Sequence, residues 1–201
     1  AERAKDEMRD IMSRMIGAEI RYTQLGYWMR QPIYGFRSKS VDTKNGKRLI
    51  LKPKKDEAQY IIKMFEMRAS HMYTNQQIAD ELNSMGFKTR VSLVRDKYDR
   101  TVIKKQIGGR KMTAKMIDTY VSKLTYCGIL NEKWTYDQPV KAQFDGLVSV
   151  ELFNEANRGR IHVDVSSTNE ISIRRKLVPE HLKTKKIFNP DYPYKQVVAC
   201  P

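Results

Sequence analysis

Cysteine is nearly absent from the 201-residue chain, and the two present, Cys127 and Cys200, lie far apart. A disulfide scaffold is thereby excluded, and a reducing compartment fits better than secretion. Histidine is scarce too: His71, His162 and His181 fall in separate segments. No HxxxH metal helix is formed, and no GxSxG elbow, phosphate-binding glycine loop or paired CxxC occurs. Long apolar runs are missing, since no stretch approaches the ~18 residues a membrane span requires. The N-terminal segment is charged and amphipathic, unlike a signal peptide. These absences point to a cytoplasmic protein without membrane contact and leave little room for enzyme chemistry. Acidic residues are also in deficit, with 23 Asp plus Glu against 38 Lys plus Arg and a formal charge of +15. Such a field attracts polyanions.

The cations are unevenly spread. Arg37 to Lys55 holds eight basic residues and one acid, Asp42. Lys88 to Lys115 holds ten basic residues against Asp96 and Asp99. Two basic runs flanking one helical unit favour a phosphate-contacting surface over solvated loops. The carboxylates Asp56, Glu57, Asp80 and Glu81 are helical neighbours that point to different faces, and they read as solvated charge. Cys127, set among Tyr126, Gly128 and Ile129, reads as a buried core thiol.

Apolar periodicity predicts a helix over Glu2–Ile20, with Met8, Ile11, Met12, Met15, Ile16 and Ile20 as a stripe that needs a partner. Tyr34–Ser38 and Arg48–Lys52 predict two short strands joined through a turn at Asn45-Gly46. A helix from Asp56 to about Arg68 places Tyr60, Ile61, Met64 and Phe65 on one side. Thr74 and Gln77 form the T-x-x-Q pattern of a capping box. That cap opens a helix with Ile78, Ala79, Leu82 and Met85 inward and Gly86 past its end. Val91 to Lys111 is a basic excursion of undetermined structure.

Thr113 is expected to cap a further helix that buries Ile117, Tyr120, Val121 and Leu124 and presents Thr113, Lys115, Thr119, Ser122 and Lys123, with Gly128 closing the segment. Gly128–Trp134 and Val140–Gln143 predict short strands, and Ser149 caps a helix to about Arg158. Residues 161–186 read as a linker or arm. The two Thr-capped helices resemble a helix-turn-helix, in which the second helix lies in the major groove. Here 26 residues separate Gly86 from Thr113, so either the motif is split by an insertion or these are ordinary core helices.

Five segments, in order, resemble the recombinase domain of large serine recombinases. They are YGFR (Tyr34–Arg37), LKPKKDEAQYIIKMFEM (Leu51–Met67), TNQQIADELNSMGFKTR (Thr74–Arg90), KLTYCGIL (Lys123–Leu130) and FDGLVSVELFNEANRGR (Phe144–Arg160). The likeness spans residues 26–160. Two departures stand out: one extra residue in Pro32-Ile33-Tyr34-Gly35-Phe36, and a longer 91–111 excursion.

The resemblance implies a mainly α, helix-turn-helix-like DNA-binding domain with small β-hairpins. Residues 1–25 would be the C-terminal part of a long helix leaving a catalytic domain, 26–160 the DNA-binding domain, 161–196 a basic linker or arm, and 197–201 the first strand of a zinc ribbon. No residue here inherits the nucleophile role, and no cofactor is implied for this portion. Cys200 in VVACP would be a zinc ligand only in a full-length protein, because one thiolate cannot hold the metal. The partner would be double-stranded DNA, namely a recombination attachment half-site, with the full-length protein a homodimer on each site and a tetramer at synapsis.

On this reading the helix carrying Thr113, Lys115, Thr119, Ser122 and Lys123 reads the major groove. The segment with Arg21, Arg30, Arg37 and Lys39 follows the sugar-phosphate path, and Arg90, Lys104, Lys105, Arg110 and Lys111 add phosphate contacts. A helix-turn-helix transcriptional regulator and a nonspecific nucleic-acid-binding protein are the alternatives.

Overall fold

The computed structural model describes residues 2–44, 46–132, 135–136, 138–166 and 170–176. Helix α1 (Glu2–Gln24) leads to a long antiparallel hairpin, β1 (Phe36–Thr43) and β2 (Gly46–Pro53). Helices α2 (Lys55–Ala69) and α3 (Asn75–Ser84) follow. A second hairpin, β3 (Ser92–Arg95) and β4 (Ile103–Ile107), precedes α4 (Ala114–Val121) and a 3₁₀ turn at Leu124–Cys127. The two-residue strands β5 (Ile129–Leu130) and β6 (Val140–Lys141), helix α5 (Val150–Asn157), and the hairpin β7 (Ile161–Val165) and β8 (Ile171–Arg175) complete the described chain. Each sheet has two antiparallel strands, so the architecture is mainly helical with small hairpins, as the sequence indicates.

One aromatic core holds these pieces together. Phe36, Phe65, Phe87, Tyr126 and Phe153 are fully buried, and the rings of Phe36, Phe65, Phe144 and Tyr126 meet at centroid distances of 5.8–6.1 Å. Ile61 and Met64 of α2, Ile78, Ala79 and Leu82 of α3, and Ile117 and Val121 of α4 pack into the same cluster. Ends are fixed as the sequence indicates: Thr74 and Gln77 complete the capping box, Ser149 Oγ accepts from the Leu152 amide at 3.2 Å, and Gly86 takes φ +93°.

Buried arginines do what apolar patterning does not foretell. Arg68 of α2, only 4% exposed, pairs with Asp118 of α4 at 2.9 Å and donates to Asn75 of α3 and to the Ala156 carbonyl of α5. Asp118 also accepts from Asn75 Nδ2 at 3.0 Å and from an Arg160 terminal nitrogen at 2.6 Å. Burial opposes the Asp118 charge, yet the Arg160 hydrogen bond and the Arg160 and Arg68 fields hold its pKa below the ordinary carboxylate value. Four helices thus meet on one satisfied ionic node, the arrangement a buried charge requires.

Several expectations are corrected. The first hairpin is longer than Tyr34–Ser38 and Arg48–Lys52, because its outer end pairs through Thr43 and Gly46. Met85 is exposed, since it stands at the C-cap of α3, past the last buried turn. Thr113 is the N-cap of α4 without a side-chain cap bond, and the helix stops at Val121. The excursion at 91–111 is the β3–β4 hairpin. Residues 161–176, expected as linker, form a hairpin that buries Val163 and packs Ile161, Ile171 and Ile173 against the core. Met8, Ile11, Met12, Met15 and Ile16 of α1 stay exposed. The remainder of the expected arm and the zinc-ribbon start, with Cys200, lie outside the described residues. No helix among those described is long and apolar enough to cross a membrane.

Candidate nucleic-acid interface

Helix α4 packs on α3 through Ile117 and Val121, which leaves Thr113, Lys115, Thr119 and Ser122 exposed along its outer side. The Thr119 hydroxyl donates to the Lys115 carbonyl at 3.2 Å and that of Ser122 to the Thr119 carbonyl at 3.1 Å. Both oxygens keep lone pairs for an outside donor. Lys123 does not share this face. Because α4 ends two residues earlier, Lys123 begins the 3₁₀ turn, half-buried, with Nζ 5.4 Å from the Tyr120 ring centroid. Burial there lowers its pKa.

The loop from Arg30 to Phe36 contributes residues to the walls of two clefts. One, of about 350 Å³, is lined by Arg30, Ser122, Lys123 and Arg175 together with Glu132, and Arg30 pairs with Glu132 at 2.7 Å. The other, of about 780 Å³, lies under the first hairpin and is lined by Arg37, Lys52, Lys54, Lys55 and Arg90, with Asp56 as an opposing charge. Arg37 and Lys39 are exposed on β1 and Arg21 is exposed on α1. Lys52 and Lys55 were not singled out from the sequence, although both sit in the basic run.

The β3–β4 hairpin stands clear of the body, with all nine strand residues exposed. Its root is tied by Thr89, whose amide donates to the Arg110 carbonyl at 2.9 Å and whose carbonyl accepts from Gly109 at 3.1 Å. Lys105, Arg110 and Lys111 are exposed, whereas Lys104 is ion-paired with Asp96.

Arg90, expected to touch phosphate, instead organises the interior. Its Nε donates to both Glu57 oxygens at 2.9 and 3.0 Å, and its terminal nitrogens donate to the Pro32, Ile33 and Phe36 carbonyls. Among the described residues Glu57 is the one carboxylate paired with Arg90; it is only 6% exposed and also accepts from the Gly35 amide at 2.9 Å and Lys54 at 2.8 Å. Burial works to raise its pKa, but the bonds from Arg90, Lys54 and Gly35 outweigh that and hold it at about 2. The expectation that Glu57 is solvated charge is therefore wrong. The same contacts settle the entry to the first hairpin: Gly35, at φ +91°, turns its amide onto Glu57, and a Cβ there would lie 2.8 Å from Leu147.

A family model described as Recombinase matches residues 55–160, more than half of the 201-residue chain. The chain belongs to the Recombinase family. The matched span contains the Glu57–Arg90 and Arg68–Asp118 pairs and all of α4, so the Recombinase match covers the exposed face described above. Comparison with curated proteins finds no match. Among solved structures, the chain is similar to a crystal structure of an LSR–DNA complex, at 16% identity and a TM-score of 0.47, with 72% of this chain and 38% of that one covered. It is also similar to a structure concerned with the sequence requirements of the Listeria innocua prophage attP site, at 14% identity and a TM-score of 0.48, with 81% and 71% covered. The chain spans well under half of the first of these proteins.

Proposed function

We propose that this Recombinase-family chain is the duplex-DNA-binding region of a serine site-specific recombinase and reads an attachment half-site. The observation that carries the proposal is the exposed Thr/Lys/Ser face of α4, inside the span matched by the family model; the cationic clefts and the basic hairpin support it. Helices α3 and α4 act as a helix-turn-helix whose turn is expanded into the β3–β4 hairpin, and α4 enters the major groove. Thr113, Thr119 and Ser122 face base edges. Lys115, with Arg30 and Lys123 in the smaller cleft, meets phosphates. Arg21, Arg37 and Lys39 follow the backbone, and Lys105, Arg110 and Lys111 reach phosphates from the hairpin side.

Strand breakage and rejoining fall to a catalytic domain outside this sequence, from which α1 descends, and the whole recombinase assembles as a dimer on each site and a tetramer at synapsis. We assign no cofactor to this chain. Among the described residues no cluster of His, Cys, Asp and Glu could hold a metal, and Cys200 becomes a zinc ligand only with partners from further sequence.

Footprinting and competition binding on candidate attachment-site DNA at moderate salt test this. Lys115→Ala is expected to weaken binding to cognate and random duplexes alike, and Thr119→Ala to change the ranking among sequences, since a good base contact discriminates by about 1–3 kcal/mol. Equal losses on every sequence for both variants would remove α4 from base reading. Affinity without any sequence preference would make the chain a nonspecific binder.

A further inference from the structure

Arg37 and Lys52 stand directly opposite one another in the β1–β2 register. Directly opposed residues of an antiparallel pair share a face with Cβ atoms about 5 Å apart, and like charges so placed repel. Both side chains are exposed, and among the described residues neither takes part in an ion pair. Lys55, also exposed, joins them on the wall of the cleft, where Asp56 is the one carboxylate lining it. The two other cations of the wall, Lys54 and Arg90, are already engaged by Glu57. The cleft therefore concentrates three unpaired cations against a single acid, an arrangement that costs stability in the free protein and is relieved by an anion.

We propose that this cleft seats a backbone phosphate of duplex DNA, held by Arg37, Lys52 and Lys55. The assignment rests on the reading of the chain as a DNA-binding region, and to the backbone contact already given to Arg37 it adds Lys52, Lys55 and a defined seat for one phosphate. A polymer rather than a small anion is indicated by what continues beyond the cleft. Lys39 lies two residues along β1 from Arg37, on the same face and about 6.6 Å further on. The cationic row thus runs out along the hairpin, which serves a linear polyanion and has no use for a single ion.

The test uses the full chain, a fluorescently labelled duplex of random sequence, and a KCl titration. Each phosphate contact adds nearly one to the slope of log affinity against log salt. The double variant Arg37→Gln, Lys52→Gln, which empties this one seat, should therefore flatten that slope by about 1 relative to the wild type, with the ranking among sequences unchanged. Its free form should melt no lower than the wild type and is expected to melt higher, because the repulsion has gone. Lys63→Gln, on α2 outside the cleft, should leave the slope as it was. If the wild type binds and the double variant keeps both affinity and slope, the cleft is no phosphate seat, whereas α4 can still read DNA. If the double variant melts lower than the wild type, the opposed cations are stabilising partners and the inference also falls. If the wild type binds no duplex at any salt, the DNA-binding reading itself fails and this assignment with it.

Discussion

Arg90→Ala separates an internal role from a DNA-contacting one. In the structure Arg90 ties the loop at Pro32, Ile33 and Phe36 to Glu57 at the start of α2. Removing it leaves the carboxylate with only Lys54 and the Gly35 amide, in a place too dry to hydrate it. Breaking a buried pair from one side costs about 3–5 kcal/mol. Here we expect about 3 kcal/mol, at the low end of that range, because the Arg90 side chain keeps 35% of its surface exposed and Lys54 still faces Glu57.

Urea unfolding measures this directly. Glu57→Gln should lower stability by a comparable amount, and the double variant should lose less than the two singles together, since each removes the same interaction. The acid limb gives a second reading. Glu57 sits at about 2 when folded against an ordinary 4.5. A carboxylate depressed on folding contributes stability that is present above its unfolded pKa and is lost as pH falls toward the folded value. Wild-type stability should thus fall between about pH 4.5 and 2, more steeply than that of Glu57→Gln. If Arg90→Ala unfolds at the wild-type urea midpoint but binds duplex DNA weakly, Arg90 is a phosphate contact and the internal assignment is wrong.

Replacing residues 92–107 with a short Gly-Ser turn should change stability by less than about 1 kcal/mol, because a two-stranded hairpin with every strand residue exposed contributes little to a core. On the proposed function it should also flatten the salt dependence of DNA binding, as an anisotropy titration would show. Gly146→Ala should destabilise by several kcal/mol in urea unfolding, or prevent folding, because the added Cβ would lie 2.5 Å from the Tyr126 carbonyl oxygen and 2.7 Å from the Cys127 carbonyl carbon. Cys127, buried and with its thiol pushed up to about 12, should resist alkylation in native buffer at mildly alkaline pH and react once the chain is unfolded, read by mass spectrometry of its peptide.

The parts legible in the sequence are those fixed by local chemistry. Thr74 and Gln77 name a helix start without help from the rest of the chain, and the Ile61, Met64 and Phe65 spacing names a buried side. The β3–β4 hairpin was not legible because its side chains face solvent on both sides, so polar and apolar residues mix without the alternation that a half-buried strand imposes. The β7–β8 hairpin is different. Ile161, Val163 and Val165, then Ile171 and Ile173, do alternate, but short runs amid Ser, Thr, Lys and Arg read as a linker. For the site, α4 and its Thr/Lys/Ser side could be read from period and cap, whereas the partners of Arg90 and Arg68 could not. Each reaches residues far off in sequence, and nothing local distinguishes an interior arginine from a surface one.

Counting charge along the chain consequently overstates the surface available to phosphate. Within the run from Lys88 to Lys115, Arg90 is internal and Lys104 is paired with Asp96. Within the run from Arg37 to Lys55, Lys54 serves Glu57, and Arg48 lies 3.9 Å from the Tyr22 ring centroid. On the proposed function these internal cations still bear on binding. The Glu57–Arg90 node joins the Pro32–Phe36 loop, the start of α2 and the start of the excursion, and so fixes a loop that contributes to the walls of both clefts, while the Arg68–Asp118 node sets α4 against α2, α3 and α5. A surface that meets several phosphates at once gains affinity from having its cations already placed, since less ordering remains for the complex. Loosening either node should therefore weaken DNA binding in proportion to the stability lost and leave sequence ranking intact, whereas a change at Thr113, Thr119 or Ser122 should alter the ranking and leave stability as it was.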